Sequence, residues 1–217
     1  MCGGYPRSMT NPVVHIGHYL LAYQPVYDLY QNLVGGVRYR SEIVKRLASS
    51  GKSAYLDLGC GTATAARALG PSINYVGLDN SENYLKNAKK EFPEFTFLNR
   101  DLGIENWDKD IQGIGDAVAS GLGLLHHLDD AKARNFLETC RKSLDKESIL
   151  FTVDPVIVED TGQIAKWFAK NDRGKFIRTP NNLEKMFKQA GFSTEIEVKK
   201  GKFRIPLDTV EIVAIPI

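Results

Sequence analysis

The chain reads as an α/β protein, a mostly parallel sheet with helices on both faces. Three observations predict this. Short apolar runs alternate with helical segments from residue 53 onward. A glycine-rich turn, in YLDLGCGTATA, follows the first apolar run. Three successive runs carry an aspartate near their ends, at Asp57, Asp79 and Asp101. Strand–helix alternation of this kind builds parallel sheets covered on both faces.

The elements follow in order. Residues 1–24 are rich in Gly, Pro, Asn and Ser and read as irregular. From Pro25, PVYDLYQNLVGGVRYRSEIVKRLASSG reads as two helical pieces broken at Gly35-Gly36. The second piece places Val37, Ile43, Val44 and Leu47 mostly on one face and stops at Gly51. SAYLDLG is then the first strand, followed by helical TATAARALG. INYVGLD is the second strand, and SENYLKNAKKEF a helix with Ser81 as its N-cap. FTFLNRD and DAVASGL are the third and fourth strands. In LDDAKARNFLETCRKSL, Ala133, Phe136, Leu137, Cys140 and Leu144 fall at helical spacing. SILFTVD is the fifth strand, followed by a basic insertion over residues 160–180. Thr179-Pro180 opens a helix that Gly191 closes. STEIEVKK and TVEIVAIPI are two closing strands. Residues 25–217 thus read as one domain, with residues 25–50 as lid helices.

Bulk properties narrow the class. A chain of 217 residues, 43% hydrophobic and 25% charged, is an ordinary globular composition. A net charge of +2 is too small to argue for nucleic acid. Cys2, Cys60 and Cys140 form no disulfide framework or zinc spacing, which points to a reducing cytoplasm. No apolar run approaches the ~18 residues that cross a bilayer. The first 23 residues, with His15 and His18, lack a signal-peptide pattern.

The glycine turn decides the ligand. Ligands of such sheets sit beyond the carboxyl ends of the strands. A dinucleotide turn wants G-x-G-x-x-G/A, but Gly59-Cys60-Gly61-Thr62-Ala63 is followed by Thr64. No Gly-Lys-Ser/Thr follows, so the phosphate loop is absent too. Asp57 would repel a phosphate from either. It would attract a cationic ligand, and a water-poor cleft would strengthen that attraction. S-adenosylmethionine carries a sulfonium and an ammonium. Bare Gly59 and Gly61 would let it lie on the backbone, and the next helix N-terminus would take its carboxylate.

Asp57-Leu-Gly59-Cys-Gly61-Thr-Ala63 resembles the first motif of class I S-adenosylmethionine-dependent methyltransferases, D/E-x-G-x-G-x-G, with Ala63 in place of the third glycine. The resemblance covers roughly residues 27–217 and implies their Rossmann-like fold, about seven strands with the last antiparallel. It implies that Asp79, 22 residues after Asp57, accepts the ribose hydroxyls, and that Asp101 accepts from the adenine amine. Cys60, Thr62, Asn80, Leu102, Ser120 and Gly121 stand at flanking cofactor positions, and the first lid helix would close over the cofactor through Tyr27, Tyr30 or Gln31, unless it is an amphipathic packing helix. SGLGLLHHLDD follows the fourth strand as in small-molecule members. There His126 or His127 would act as a base, with Asp154 at the next strand end as its partner. A packing or capping role is the plainer account of either histidine.

In the basic insertion, Arg173 and Arg178 would grip an anionic or sugar-like acceptor, unless this is a solvated basic face over packed Trp and Phe. The expected protein is therefore an S-adenosylmethionine-dependent methyltransferase acting on a small molecule at oxygen. It needs no metal, touches no membrane and works as a monomer or homodimer. The rivals are an RNA methyltransferase and a non-catalytic module that only binds the cofactor. A dehydrogenase is disfavoured by Asp57 and Thr64.

Overall fold

The computed structural model describes residues 33–104, 107–170 and 174–217, with 168–170 described by backbone alone. The first lid helix, with Tyr27 and Tyr30, lies outside these residues, as does Arg173.

Helix α1 spans Gly36–Ala48. Its start is set by Gly35, whose left-handed φ of 84° breaks the chain direction where the Gly35-Gly36 pair predicts it. Strand β1, Ala54–Leu58, is buried along its whole length, as expected of a strand covered on both faces. Its side chains alternate. Leu56 and Leu58 face one apolar layer, while Tyr55 belongs to the other. The short helix α2 (Thr64–Ala68) follows, then β2 (Asn74–Asp79), α3 (Glu82–Glu91) and β3 (Thr96–Asn99). Ser81 caps α3, its Oγ accepting from Tyr84 N–H at 3.4 Å.

Strand β4 spans Ala117–Leu122, and a single 3-10 turn, Leu125–His127, leads into α4, Asp130–Ser143. Asp129 caps α4 by accepting from Lys132 N–H at 2.9 Å. Strand β5 is Ile149–Pro155. The basic insertion then holds a helix that composition alone does not announce, α5, Gln163–Lys170. Helix α6, Pro180–Gln189, starts on the Thr179 cap and stops before Gly191, as the Thr-Pro and Gly signals require. Strands β6 (Phe192–Lys199) and β7 (Thr209–Pro216) close the chain.

The seven strands form one sheet in the order β3-β2-β1-β4-β5-β7-β6. The pairs β1–β2, β1–β4, β2–β3 and β4–β5 are parallel, and β7 runs antiparallel to both β5 and β6. Helices α4 and α6 supply Phe136, Leu137, Leu183 and Phe187 to one face. Helices α1, α2 and α3 supply Val44, Ala66 and Leu85 to the other. Each fully buried large side chain of this kind contributes about 1.5–3 kcal/mol. Helix α1 is also tied to the sheet by polar bonds. Glu211 of β7 accepts from Tyr39 Oη at 2.6 Å and from Arg46 Nη2 at 2.9 Å.

The strand order reverses between β1 and β4. That reversal opens a crevice at the carboxyl ends of these two strands. Asp57 and Ser120 are register partners across it.

Candidate active site

The site is built around the turn that follows β1. Gly59 and Gly61 take left-handed φ values of 83° and 52°, which favour glycine. Nothing stands within 4 Å of where a Cβ of Gly61 would lie, so the turn is open on that side. Ala63 shares the left-handed region at φ 58° and is fully buried. The third glycine of the motif thus sits at a backbone position glycine would favour, which Ala63 occupies under strain.

Asp57 is 3% exposed. Its Oδ2 accepts from Tyr75 Oη at 2.8 Å, and Ser120 Oγ approaches its Oδ1 at 3.5 Å. Burial pushes its pKa up to about 6, against the opposing pull of the Tyr75 hydroxyl and the Arg40 guanidinium. Asp79 ends β2 and gathers two backbone donors, Gly61 N–H on Oδ2 and Ser81 N–H on Oδ1, both at 2.8 Å. The carboxylate therefore stands directly over the glycine turn. Asn80 beside it is exposed. Cys60 and Thr62 are buried in the turn, and the Cys60 thiol packs against Gly77. Asp101 follows β3, where its Oδ1 accepts from Gly103 N–H at 2.9 Å and Lys132 lies 3.9 Å from its Oδ2. Leu102 turns into the apolar core. Ser120 and Gly121 are buried near the end of β4.

Sequence reasoning passed over Arg40. Its guanidinium reaches the loop after β4, so that a Cβ on Gly123 would lie 3.3 Å from Nη2. The signal was present, since Arg40 shares a helix face with buried Ile43, Val44 and Leu47. A cation on an apolar helix face asks for a buried anion or an anionic ligand.

These residues fit S-adenosylmethionine. The open glycine turn offers backbone contact, Asp79 offers two carboxylate oxygens at a strand end, Asp57 offers a buried negative charge, and Arg40 offers a positive one for a carboxylate. Among the described residues, no group of three or more His, Cys, Asp or Glu is disposed to hold a metal ion.

A second cluster lies at the ends of β4 and β5. His126 is 6% exposed, and its Nδ1 is 2.7 Å from Asp154 Oδ1. The same oxygen accepts from His126 backbone N–H at 3.0 Å. Asp154 Oδ2 is buried with no hydrogen-bond partner among the described residues. His127 is exposed, and its ring lies 4.2 Å from that of His126. The two histidines therefore occupy different environments, and the one held by Asp154 is His126.

The segment 174–178 crosses this cluster. Phe176 N–H donates to His126 C=O at 3.0 Å. Arg178 is turned inward rather than toward a ligand. Its Nη1 donates to Leu125 C=O at 2.8 Å, its Nη2 to Leu128 C=O at 2.7 Å, and its Nε to Asp130 Oδ1 at 2.9 Å. With its fork engaged on the turn that carries His126, Arg178 has a holding role in place of the expected acceptor contact. The sequence showed a charge run but not which cation was buried.

The fold is shared with known proteins. The strand order, with β7 antiparallel, is that of the Rossmann-like class I methyltransferase fold. Residues 56–147 match the family described as a methyltransferase domain. The chain is similar to a solved S-adenosylmethionine-dependent methyltransferase from Archaeoglobus fulgidus, with 17% identity and a TM-score of 0.65 over 87% of this chain and 99% of that one. It is similar to human N-acetylserotonin methyltransferase, solved in complex with S-adenosylmethionine, at 20% identity and a TM-score of 0.60 over 82% of this chain and 51% of that one. An O-methyltransferase family protein from Burkholderia thailandensis gives 15% identity and a TM-score of 0.64, over 90% of this chain and 61% of that one. The chain spans about half to three fifths of the length of these last two. No curated protein sequence matches it significantly. In its fold, and over residues 56–147 in its sequence, the chain is similar to the class I S-adenosylmethionine-dependent methyltransferases. No described helix is long and apolar enough to cross a membrane.

Proposed function

We propose that the protein methylates an oxygen of a small-molecule acceptor, with His126 as general base and Asp154 as its orienting carboxylate. The observation that carries this reading is the buried 2.7 Å contact between His126 Nδ1 and Asp154 Oδ1. An ionised carboxylate only accepts, so Nδ1 is the protonated nitrogen and Nε2 the basic one. A base is needed when the acceptor is an alcohol or phenol, and not when it is an amine with a lone pair in hand.

When bound, S-adenosylmethionine supplies an activated methyl group on a sulfonium. The chain's own residues do the rest. Asp79 and Asp101 would hold the ribose and adenine ends, and Asp57 and Arg40 the charged amino-acid end. His126 Nε2 would take the acceptor's hydroxyl proton as the oxygen attacks. Asp154 would keep the imidazole in the required tautomer and stabilise the imidazolium that results. Holding donor and acceptor in line can supply several kcal/mol on its own. Phe176, 40% exposed next to the His126 turn, gives the acceptor side an apolar lip that suits a phenol. The O-methyltransferase family likeness supports the same reading.

The test uses S-adenosylmethionine labelled at the methyl group, against phenols, alcohols, amines and a total RNA fraction. Labelling of a phenol or alcohol, reduced 10²- to 10⁴-fold in His126→Asn with S-adenosylhomocysteine binding intact, is expected. Labelling of RNA alone, or an unaffected His126→Asn rate, would overturn the proposal.

A further inference from the structure

We propose that Tyr75 is a positioning residue for the cofactor, its hydroxyl holding the Asp57 carboxylate in place and in its charged form for a cationic ligand. The inference rests on the reading that Asp57 faces the positive end of S-adenosylmethionine.

The geometry is specific. Asp57 of β1 and Gly77 of β2 are register partners. Residues two apart on a strand share a face, so Tyr75 and Gly77 look to the same side as Asp57. Gly77 has no side chain, and the Tyr75 hydroxyl fills the space. A Cβ on Gly77 would lie 3.0 Å from Tyr75 Oη, 3.1 Å from Cys60 Sγ and 3.0 Å from Phe97 Cδ1. From this slot the hydroxyl reaches Asp57 Oδ2 at 2.8 Å. The Tyr75 ring is itself clamped, 4.9 Å from Phe95 and 5.6 Å from Phe97 between centroids. A fixed phenol thus occupies one carboxylate oxygen, and Oδ1 has a 3.5 Å approach from Ser120 Oγ.

The charges around Asp57 come from every packed element. Arg40 on α1 favours its ionised form. Asp79 at the end of β2 opposes it. Tyr55 on β1, Tyr75 on β2 and Cys60 in the turn are all held neutral by burial, their pKa values pushed up. Against the cost of burial, the Tyr75 hydroxyl is the first of the groups that keep Asp57 charged. Removing one hydrogen bond to a charged group corresponds to about one pH unit or more in its titration.

The experiment is calorimetric titration of S-adenosylhomocysteine, whose ammonium is cationic, from pH 5 to 8, into the wild type, Tyr75→Phe and Asp57→Asn. In the wild type, affinity rises with pH through about 6 and levels off. In Tyr75→Phe the rise is expected about one unit higher, with roughly fivefold weaker binding at pH 6 and near-equal binding at pH 8. In Asp57→Asn the rise is expected to vanish. Superposition of the Tyr75→Phe and wild-type curves would overturn the role of Tyr75 alone. A wild-type curve from Asp57→Asn would overturn the reading of Asp57 beneath it. Should Tyr75→Phe not fold, 3-fluorotyrosine placed at position 75 is the second variant. Its more acidic phenol should move the rise to lower pH, and an unmoved rise would overturn the proposal.

Discussion

The backbone of Gly174 lies against the imidazole of His126 so closely that a Cβ there would stand 2.8 Å from Nε2 and closer still to Cδ2. Glycine is required at this position for contact rather than for turn geometry. The passage of the 174–178 segment, a strap over the cluster, against His126 and the hydrogen bond from Phe176 N–H to His126 C=O are parts of one arrangement. Gly174→Ala should therefore displace either the ring or the strap. Turnover is expected to fall at least tenfold while S-adenosylhomocysteine affinity stays within twofold, measured by labelled-methyl transfer and calorimetry on the same preparation.

Arg178 offers a stability test of the same region. Its guanidinium serves carbonyl oxygens at both ends of the His126 turn, and the side chain is 7% exposed. Arg178→Met would leave buried carbonyls without donors, at about 2–4 kcal/mol. Asp130 is 68% exposed, so its charge adds little to that loss. Urea unfolding is the measurement, and an unchanged midpoint would contradict the holding role.

Asp154→Asn separates orientation from bulk. An asparagine keeps the size of the side chain, but its amide group can bind the wrong imidazole tautomer. Turnover on a hydroxyl acceptor should drop by roughly 10²- to 10⁴-fold, with little change in melting temperature. A variant that melts early and turns over normally per folded molecule would point to packing alone.

Glu211 sets an acid limb of stability. Burial raises its pKa, but the Tyr39 hydroxyl and the Arg46 guanidinium outweigh burial, and the net direction is down. A carboxyl depressed in the folded state stabilises it fully above the ordinary carboxylate range. That contribution is lost as pH falls through the depressed value. The wild type should lose stability as pH falls below the ordinary carboxylate range, and Glu211→Gln should flatten that part of the profile in thermal scans.

Ala63 tests the strained turn. Replacing it with glycine relieves a left-handed backbone but removes a buried methyl and adds unfolded-state freedom, so Ala63→Gly should lie within about 1 kcal/mol of the wild type. Ala63→Val adds a branched side chain to the same left-handed position in a fully buried site, and should cost at least 2 kcal/mol or so.

Most of the architecture was legible in the residues because it is written in local periodicity. Buried β1, the Ser81 and Thr179 caps, the stop at Gly191 and the break at Gly35 each follow from chain-local chemistry. The glycine turn and the aspartates at strand ends were legible for the same reason, since each belongs to one strand–turn–helix unit. Helix α5 was not, because Lys166 and Lys170 make its composition read as a charge run. What only the tertiary structure decided is which groups meet across distant segments. It brought Tyr75 onto Asp57, Arg40 of α1 beside Gly123 of the β4 loop, and Asp154 onto His126 rather than His127. It also turned Arg178 from a candidate ligand contact into the brace of the His126 turn. Those pairings depend on strand order and on the direction in which each side chain leaves its strand or helix, and neither is encoded in any short window of sequence.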